Sequence, residues 1–238
     1  MATAPLAGNT AVFKTSYAKA GTYPVVALYS GDANLRASSA KSVAEIVQPY
    51  ATATALKPAP NPAAYGQAVT LTATVTSNAP GGVSGTVTFK SGGTVLGSVR
   101  LSGTTASLTT TKLPVGSDTL TATYNGDVSN GKSTSAAVAE SVNKATITMK
   151  LTSLPNPSVI GHAVKFTATL TSNGSLPSGS TISFSSAGST LGTVKIGATG
   201  VAVLSVTTLP HGADVVAATY AGDTRYTSAS AAVTQTVN

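Results

Sequence analysis

The chain has 238 residues, 42% apolar and only 9% charged, and its 14 Lys and Arg against 7 Asp and Glu give a formal charge of +7. Thr, Ser, Ala, Val and Gly dominate, a composition suited to pleated, half-buried surfaces, and the absence of cysteine excludes a disulfide framework, a thiolate metal site and a cysteine nucleophile together. The basic residues, from Lys14 through Lys57, Lys90, Lys132 and Lys165 to Arg225, are evenly spread with no cluster and no interleaved aromatics, so no nucleic-acid partner is expected.

The start, Met1-Ala2-Thr3-Ala4-Pro5, has neither a basic nor an apolar leader segment, so no signal sequence is expected in this chain. No apolar run approaches the about 20 residues that cross a bilayer, so no membrane insertion is expected either. The first long-range regularity is Tyr29-Ser30-Gly31-Asp32, which returns as Tyr124-Asn125-Gly126-Asp127 and Tyr220-Ala221-Gly222-Asp223, 95 and 96 residues on. Its flanks move with it: Asn61-Pro62 matches Asn156-Pro157, and Leu113-Pro114-Val115-Gly116 matches Leu209-Pro210-His211-Gly212. The period is therefore one domain of about 95 residues. Displaced by one period, Leu6 falls on Leu101, Phe13 on Leu108 and Gly21 on Gly116, so residues 1–48 correspond only to the second half of a unit. Complete units are predicted over 49–143 and 144–238. The junctions, Val47-Gln48-Pro49-Tyr50 and Val142-Asn143-Lys144, leave almost no linker, so neighbouring units should abut as a semi-rigid rod.

Within the first complete unit, Val69, Leu71, Ala73 and Val75 alternate with Thr70, Thr72 and Thr74, and Val164, Phe166, Ala168 and Leu170 repeat the pattern in the next. Period two means one buried face and one wet one. Val87 with Phe89, Ile182 with Phe184, Leu120-Ala122-Tyr124 and Val216-Ala218-Tyr220 read the same way. Breaks at Ala79-Pro80-Gly81-Gly82, Ser91-Gly92-Gly93 and Leu113-Pro114-Val115-Gly116 separate about seven short strands per unit, with no 3.6-residue apolar period, which predicts all-β sandwiches.

The order Tyr65-Gly66-Gln67-Ala68-Val69-Thr70-Leu71, Gly85-Thr86-Val87-Thr88-Phe89, Leu113-Pro114-Val115-Gly116 and Thr121-Ala122-Thr123-Tyr124-Asn125-Gly126-Asp127 resembles the bacterial Ig-like (Big) repeat family. The resemblance covers nearly the whole chain. It implies tandem immunoglobulin-like Greek-key sandwiches that serve as non-catalytic spacer, stalk or adhesin modules of secreted or surface-anchored bacterial proteins. It implies no catalytic residues, and neither a metal site nor a cofactor is expected. The expected partners are other domains of a larger surface protein or other copies of the chain joined by β-strand addition, with a carbohydrate or protein ligand as a further expectation. In that frame residues 1–48 supply strands E, F and G without A to D, and their apolar face of Phe13, Val25, Ala27 and Tyr29 has nothing in this sequence to cover it. The family's usual aromatic three residues after Gly-Asp stands here only as Tyr226, with Leu35 and Asn130 in the other repeats, so a function tied to it is confined to the last repeat.

Among candidate sites, the repeated Asp32, Asp127 and Asp223 could hold calcium at a domain end, but that ion takes six to eight oxygens and no second carboxylate is close in sequence. Acceptors of backbone N–H bonds in the F–G turns are the simpler reading. Tyr29, Tyr124 and Tyr220, with Phe89 and Phe184 on strand C, are predicted core residues, the tyrosine hydroxyls bonded to backbone. The two histidines, His162 and His211, fall in turns without convergent partners. Serine nucleophilic chemistry lacks its base and orienting acid. Glu45 and Glu140, replaced by Gln235, are expected as inward or edge-facing charges that block strand addition rather than as promoters of an isopeptide bond. Tyr226, Arg225 and Tyr65 are the candidate ligand contacts.

Overall fold

An alternating strand can bury its apolar side only if a second sheet lies over it, and both complete repeats do this. A computed structural model describes residues 2–238; Met1, the first residue of the predicted partial repeat, lies outside the described residues. Among the described residues every regular element is a strand. The amino-terminal segment carries β1 (Gly21–Val25), β2 (Leu28–Tyr29), β3 (Ser38–Ser39) and β4 (Val43–Val47). The middle repeat comprises β5 (Thr52–Ala59), β6 (Ala63–Ala64), β7 (Val69–Ser77), β8 (Thr86–Ser91), β9 (Thr94–Arg100), β10 (Thr105–Thr110), β11 (Gly116–Tyr124), β12 (Ser133–Thr134) and β13 (Val138–Asn143). The last repeat comprises β14 (Ile147–Leu154), β15 (Val164–Ser172), β16 (Thr181–Ser186), β17 (Ser189–Lys195), β18 (Val201–Val206), β19 (Gly212–Tyr220) and β20 (Ala229–Val237).

Each complete repeat is a sandwich of two sheets. In the middle repeat β10-β7-β5 faces β6-β13-β11-β8-β9, and in the last β14-β15-β18 faces β17-β16-β19-β20. In strand letters these are A, B and E against C′, C, F and G. The predicted register holds on β7, where Val69, Leu71, Ala73 and Val75 are buried while the threonines between them are half-exposed. Phe89 pairs with Ala122 and Gly97, and Phe184 with Ala218 and Gly192, so each phenylalanine is flanked by small residues that leave room for its ring. Phe89, Tyr124, Phe184 and Tyr220 are all buried in the two cores.

The amino-terminal segment behaves differently. Its F and G counterparts pair as two short ribbons, β1 with β4 and β2 with β3. The expected strand E is not formed: residues 11–17 belong to no regular element. In the complete repeats E pairs with B, as β10 does with β7, and without B its backbone groups have no ladder to join. Tyr29, expected in a core, is half-exposed for the same reason, because no facing sheet covers it. Phe13 is 59% and Ile46 62% exposed. Tyr17 and Tyr23 stack on each other, centroids 4.2 Å apart, instead of entering a core.

Candidate functional site: the seam between repeats

Two sets of recurring residues hold the molecule together at its loop ends. The first is the Tyr-x-Gly-Asp turn. In the middle repeat Asp127 Oδ1 accepts the backbone N–H of Ser129 and of Asn130, both at 2.8 Å, and Oδ2 accepts the Tyr124 hydroxyl at 3.0 Å and both N–H and Oγ of Ser84 at 2.9 Å. Asp32 repeats the local part with Asn34, Leu35 and Tyr29, and Asp223 with Arg225, Tyr226 and Tyr220. The tyrosine hydroxyl is thus bonded to this aspartate, three residues on, rather than to backbone. Between them Gly126 has φ 82°, and a Cβ there would stand 2.9 Å from the Asn130 carbonyl oxygen, which is why the motif needs glycine. Burial pushes the Asp127 carboxyl up, but the bonds from Ser129, Asn130 and Ser84 outweigh it and hold the group below the usual aspartate range. Burial, then Asp127 itself, pushes the Tyr124 hydroxyl up to about 12.

Asn130, which stands where the last repeat has Tyr226, is buried. Its side-chain amide donates to Gly82 O at 2.7 Å and to Asp127, and its carbonyl accepts the Ser77 hydroxyl. The missing aromatic is therefore replaced by a polar clasp between the B–C and F–G loops, a role that the sequence reading did not assign.

The second set is the junction of the middle and last repeats, where Tyr65, Arg225 and Tyr226 come together. Tyr65 follows β6; its N–H donates to Asn143 O at 2.8 Å and its carbonyl accepts the Ser175 N–H at 3.1 Å. Its ring meets Tyr226 edge-on, centroids 5.6 Å apart at 87°. Arg225 lies 5.6 Å over the Tyr65 ring and its Nη1 donates to the Tyr65 hydroxyl at 3.1 Å. Tyr226 is only 8% exposed, and its hydroxyl donates to Leu176 O at 3.0 Å and lies 2.9 Å from Ser175 Oγ. These three residues therefore meet at an inter-repeat seam, with Tyr226 enclosed, Tyr65 half-buried and Arg225 exposed. Gly174 and Ser175 went unnoticed in the sequence. The signal was present, because Gly174 stands in the place of Ala79 after a shared Ser-Asn, and a Cβ at Gly174 would lie 2.2 Å from the Tyr65 carbonyl oxygen.

Elsewhere the loops carry no comparable cluster. His162 and His211 are exposed, and among the described residues no three His, Cys, Asp or Glu side chains converge as a metal set. Among the described residues no helix is long and apolar enough to cross a membrane, which says nothing about membrane β-barrels. Glu140 and Gln235 face inward and are buried, and they do not sit on an open edge. The outer edge of β13 is capped by Asn61 at Ala139 and Ser141 and by β6 at Val142 and Asn143, and that of β20 by Asn156 at Thr234 and Thr236 and by the Ser158–Val237 bridge.

With this geometry in place, the family model for the bacterial Ig-like domain (group 3) matches residues 56–143 and 151–238. The chain belongs to that family. A search of curated proteins finds no match. Among solved structures, this bacterial Ig-like chain is similar to the fibronectin(III)-like modules of Clostridium thermocellum CbhA, at 20% identity over 78% of this chain and 94% of that one, TM-score 0.32. It is also similar to the Escherichia coli adhesin FdeC, at 16% identity over 86% and 71%, TM-score 0.36. The Yersinia pseudotuberculosis adhesin InvE matches at 18% over 76% and 58%, TM-score 0.35, so the Ig-like chain spans less than two thirds of that structure.

Proposed function

We propose that the chain is a non-catalytic spacer in a bacterial protein that works outside the cell or at its surface, as part of a stalk or adhesin. The observation that carries this is the seam: Tyr65 is bonded at once to Asn143 of its own repeat and to Ser175 of the next, so the two sandwiches are joined without a free linker. A joint with an edge-on tyrosine pair and a capping arginine resists bending, which a spacer needs and an isolated binding domain does not. A carbohydrate-binding accessory role loses its aromatic platform, because Tyr226 is enclosed in the joint.

The test is Gly174→Ala, which forces a methyl group against the Tyr65 carbonyl oxygen. Overpacking of this kind costs about 1–3 kcal/mol, so the Ser175 amide should exchange with solvent roughly 5- to 150-fold faster while Phe184 keeps its protection. Small-angle scattering should show a broader range of lengths than the parent chain. An unchanged Ser175 amide and an unchanged scattering profile would remove the rigid-spacer reading.

A second reading rests on the open amino-terminal segment, where Phe13, Val25, Leu28 and Ile46 are exposed on or beside short, unprotected ribbons. Such edges and faces are templates for strand addition, and in this reading other copies of the chain complete the segment along a filament. In a monodisperse monomer, limited proteolysis is expected to cleave before residue 49 first. Protection there should appear only together with a larger sedimenting species. Protection in a monomer would exclude the exchange.

A further inference from the structure

Glu140 is fully buried, and the structure gives neither of its carboxylate oxygens a hydrogen-bond partner. It lies on the inward face of β13 between Val138 and Val142, in register with Asp118 of β11, which shares the inward face with Leu120 and Ala122. Asp118 Oδ1 accepts the Ser91 hydroxyl at 2.8 Å, while its Oδ2 is buried and also unpartnered. Three acceptor oxygens from two acids thus meet on adjacent strands with no donor between them. Among the described residues no lysine or arginine is hydrogen-bonded to either acid, and Lys112 borders the cavity beside Asp118 without bonding it. Lys57 on β5 and Lys90 on β8 alternate with the core residues and stand on outer faces, Lys112 is exposed on its loop, and β6 carries only Ala63 and Ala64. Two anions placed side by side out of water repel each other and lose their hydration, so one of the pair retains a proton.

The last repeat shows what the socket is built to hold. There Gln235 replaces Glu140, and its Nε2 donates to Pro155 O at 3.0 Å, to Ser158 Oγ at 3.1 Å and to Thr236 O at 2.9 Å. Two of these acceptors are backbone carbonyls, which the middle repeat also has at Pro60 and Ser141, while Ala63 stands in place of Ser158, so a side chain that bonds them must donate. A carboxylate cannot donate, whereas a carboxylic acid can.

We propose that Glu140 is a neutral carboxylic acid at physiological pH, kept so by its enclosure beside Asp118, so that the middle repeat, and not the last, loosens as the pH rises. Burial, and then the Asp118 charge, hold the Glu140 carboxyl above the usual glutamate range, in keeping with this arrangement. A carboxyl with a raised value in the folded state binds more protons there than in the unfolded chain. Its stabilising contribution is complete below the ordinary glutamate value of about 4.3 and is lost as the pH rises through the folded value, after which it levels off.

The experiment is a urea titration of the full chain followed by NMR at the Ala122 amide for the middle repeat and the Ala218 amide for the last, repeated from pH 4 to 9. In the parent chain the folded-to-unfolded ratio read at Ala122 should fall about tenfold per pH unit across the window between the two values, against a flat response at Ala218. Glu140→Gln, which places here the side chain already accommodated at position 235, should abolish the fall at Ala122. Asp118→Asn removes the neighbouring charge and should move the midpoint to lower pH. The Glu140 carboxyl carbon should titrate at the same raised midpoint. A carboxyl carbon titrating at an ordinary value overturns the proposal, as does a fall at Ala122 that survives in Glu140→Gln. Calcium chloride that stabilises the middle repeat at high pH in the parent chain but not in Glu140→Gln would show that a cation, rather than a proton, occupies the pair.

Discussion

Phe89→Ala is expected to destabilise the middle repeat by about 3–5 kcal/mol, a large part of the 5–15 kcal/mol typical of a whole domain. The ring is fully buried and lies with Leu71, Val75, Leu120 and Tyr124 in the core between the two sheets. Backbone pairing with Gly97 and Ala122 leaves only small residues directly across from it in its own sheet to move into the space that the ring would vacate. Phe184→Ala should cost the last repeat a similar amount, since Gly192 and Ala218 repeat the arrangement. Thr72→Ala is the control: its hydroxyl lies 3.3 Å from Ser107 Oγ on the solvent face, and its loss should stay within about 0.5 kcal/mol. Chemical denaturation decides the matter, and equal losses from Phe89 and Thr72 would place the strand one residue out of register.

Asp127→Ala should have the next largest effect, about 2–4 kcal/mol, because one carboxylate accepts bonds from Ser84, Tyr124, Ser129 and Asn130, and its removal leaves several of those donors without a partner. The same substitution at Asp32 should cost little, since its partners Tyr29, Asn34 and Leu35 are all local and exposed. Acid should act on the middle repeat in the same direction. A carboxyl held below its usual range stabilises the fold above the ordinary aspartate value of about 3.9, and that contribution disappears as the pH falls through the folded value. Since Glu140 acts in the opposite sense, the middle repeat should be most stable in weak acid. A melting curve flat from pH 2 to 7 would contradict the role given to Asp127.

Sequence reasoning reached the fold, because its evidence was local and periodic. Alternation at Val69, Leu71, Ala73 and Val75 needs no knowledge of partners to say which face is buried, and the recurrence of Tyr-x-Gly-Asp sets the repeat length. The Asp turns were legible for the same reason, since each aspartate bonds N–H groups two and three residues on. Its failures share one physical origin. Strand E of the amino-terminal segment and the expected burial of Tyr29 depend on partner strands that a one-dimensional pattern assumes but cannot supply.

Tyr65, Arg225 and Tyr226 were expected as ligand contacts, and their contact with one another was not legible, because Tyr65 and Arg225 are separated by 160 residues and meet only once the repeats stack. Glu140 was expected as an inward or edge-facing charge, and pairing with β11 decides for the inward side, opposite Asp118. What the sequence by itself determined is therefore the class of fold, the register of each strand and the turn chemistry, all set within a few residues. Tertiary structure alone decided which acid keeps a proton, which aromatics are enclosed and which strands form, because burial and hydrogen-bond pairing depend on segments that the chain brings together from far apart.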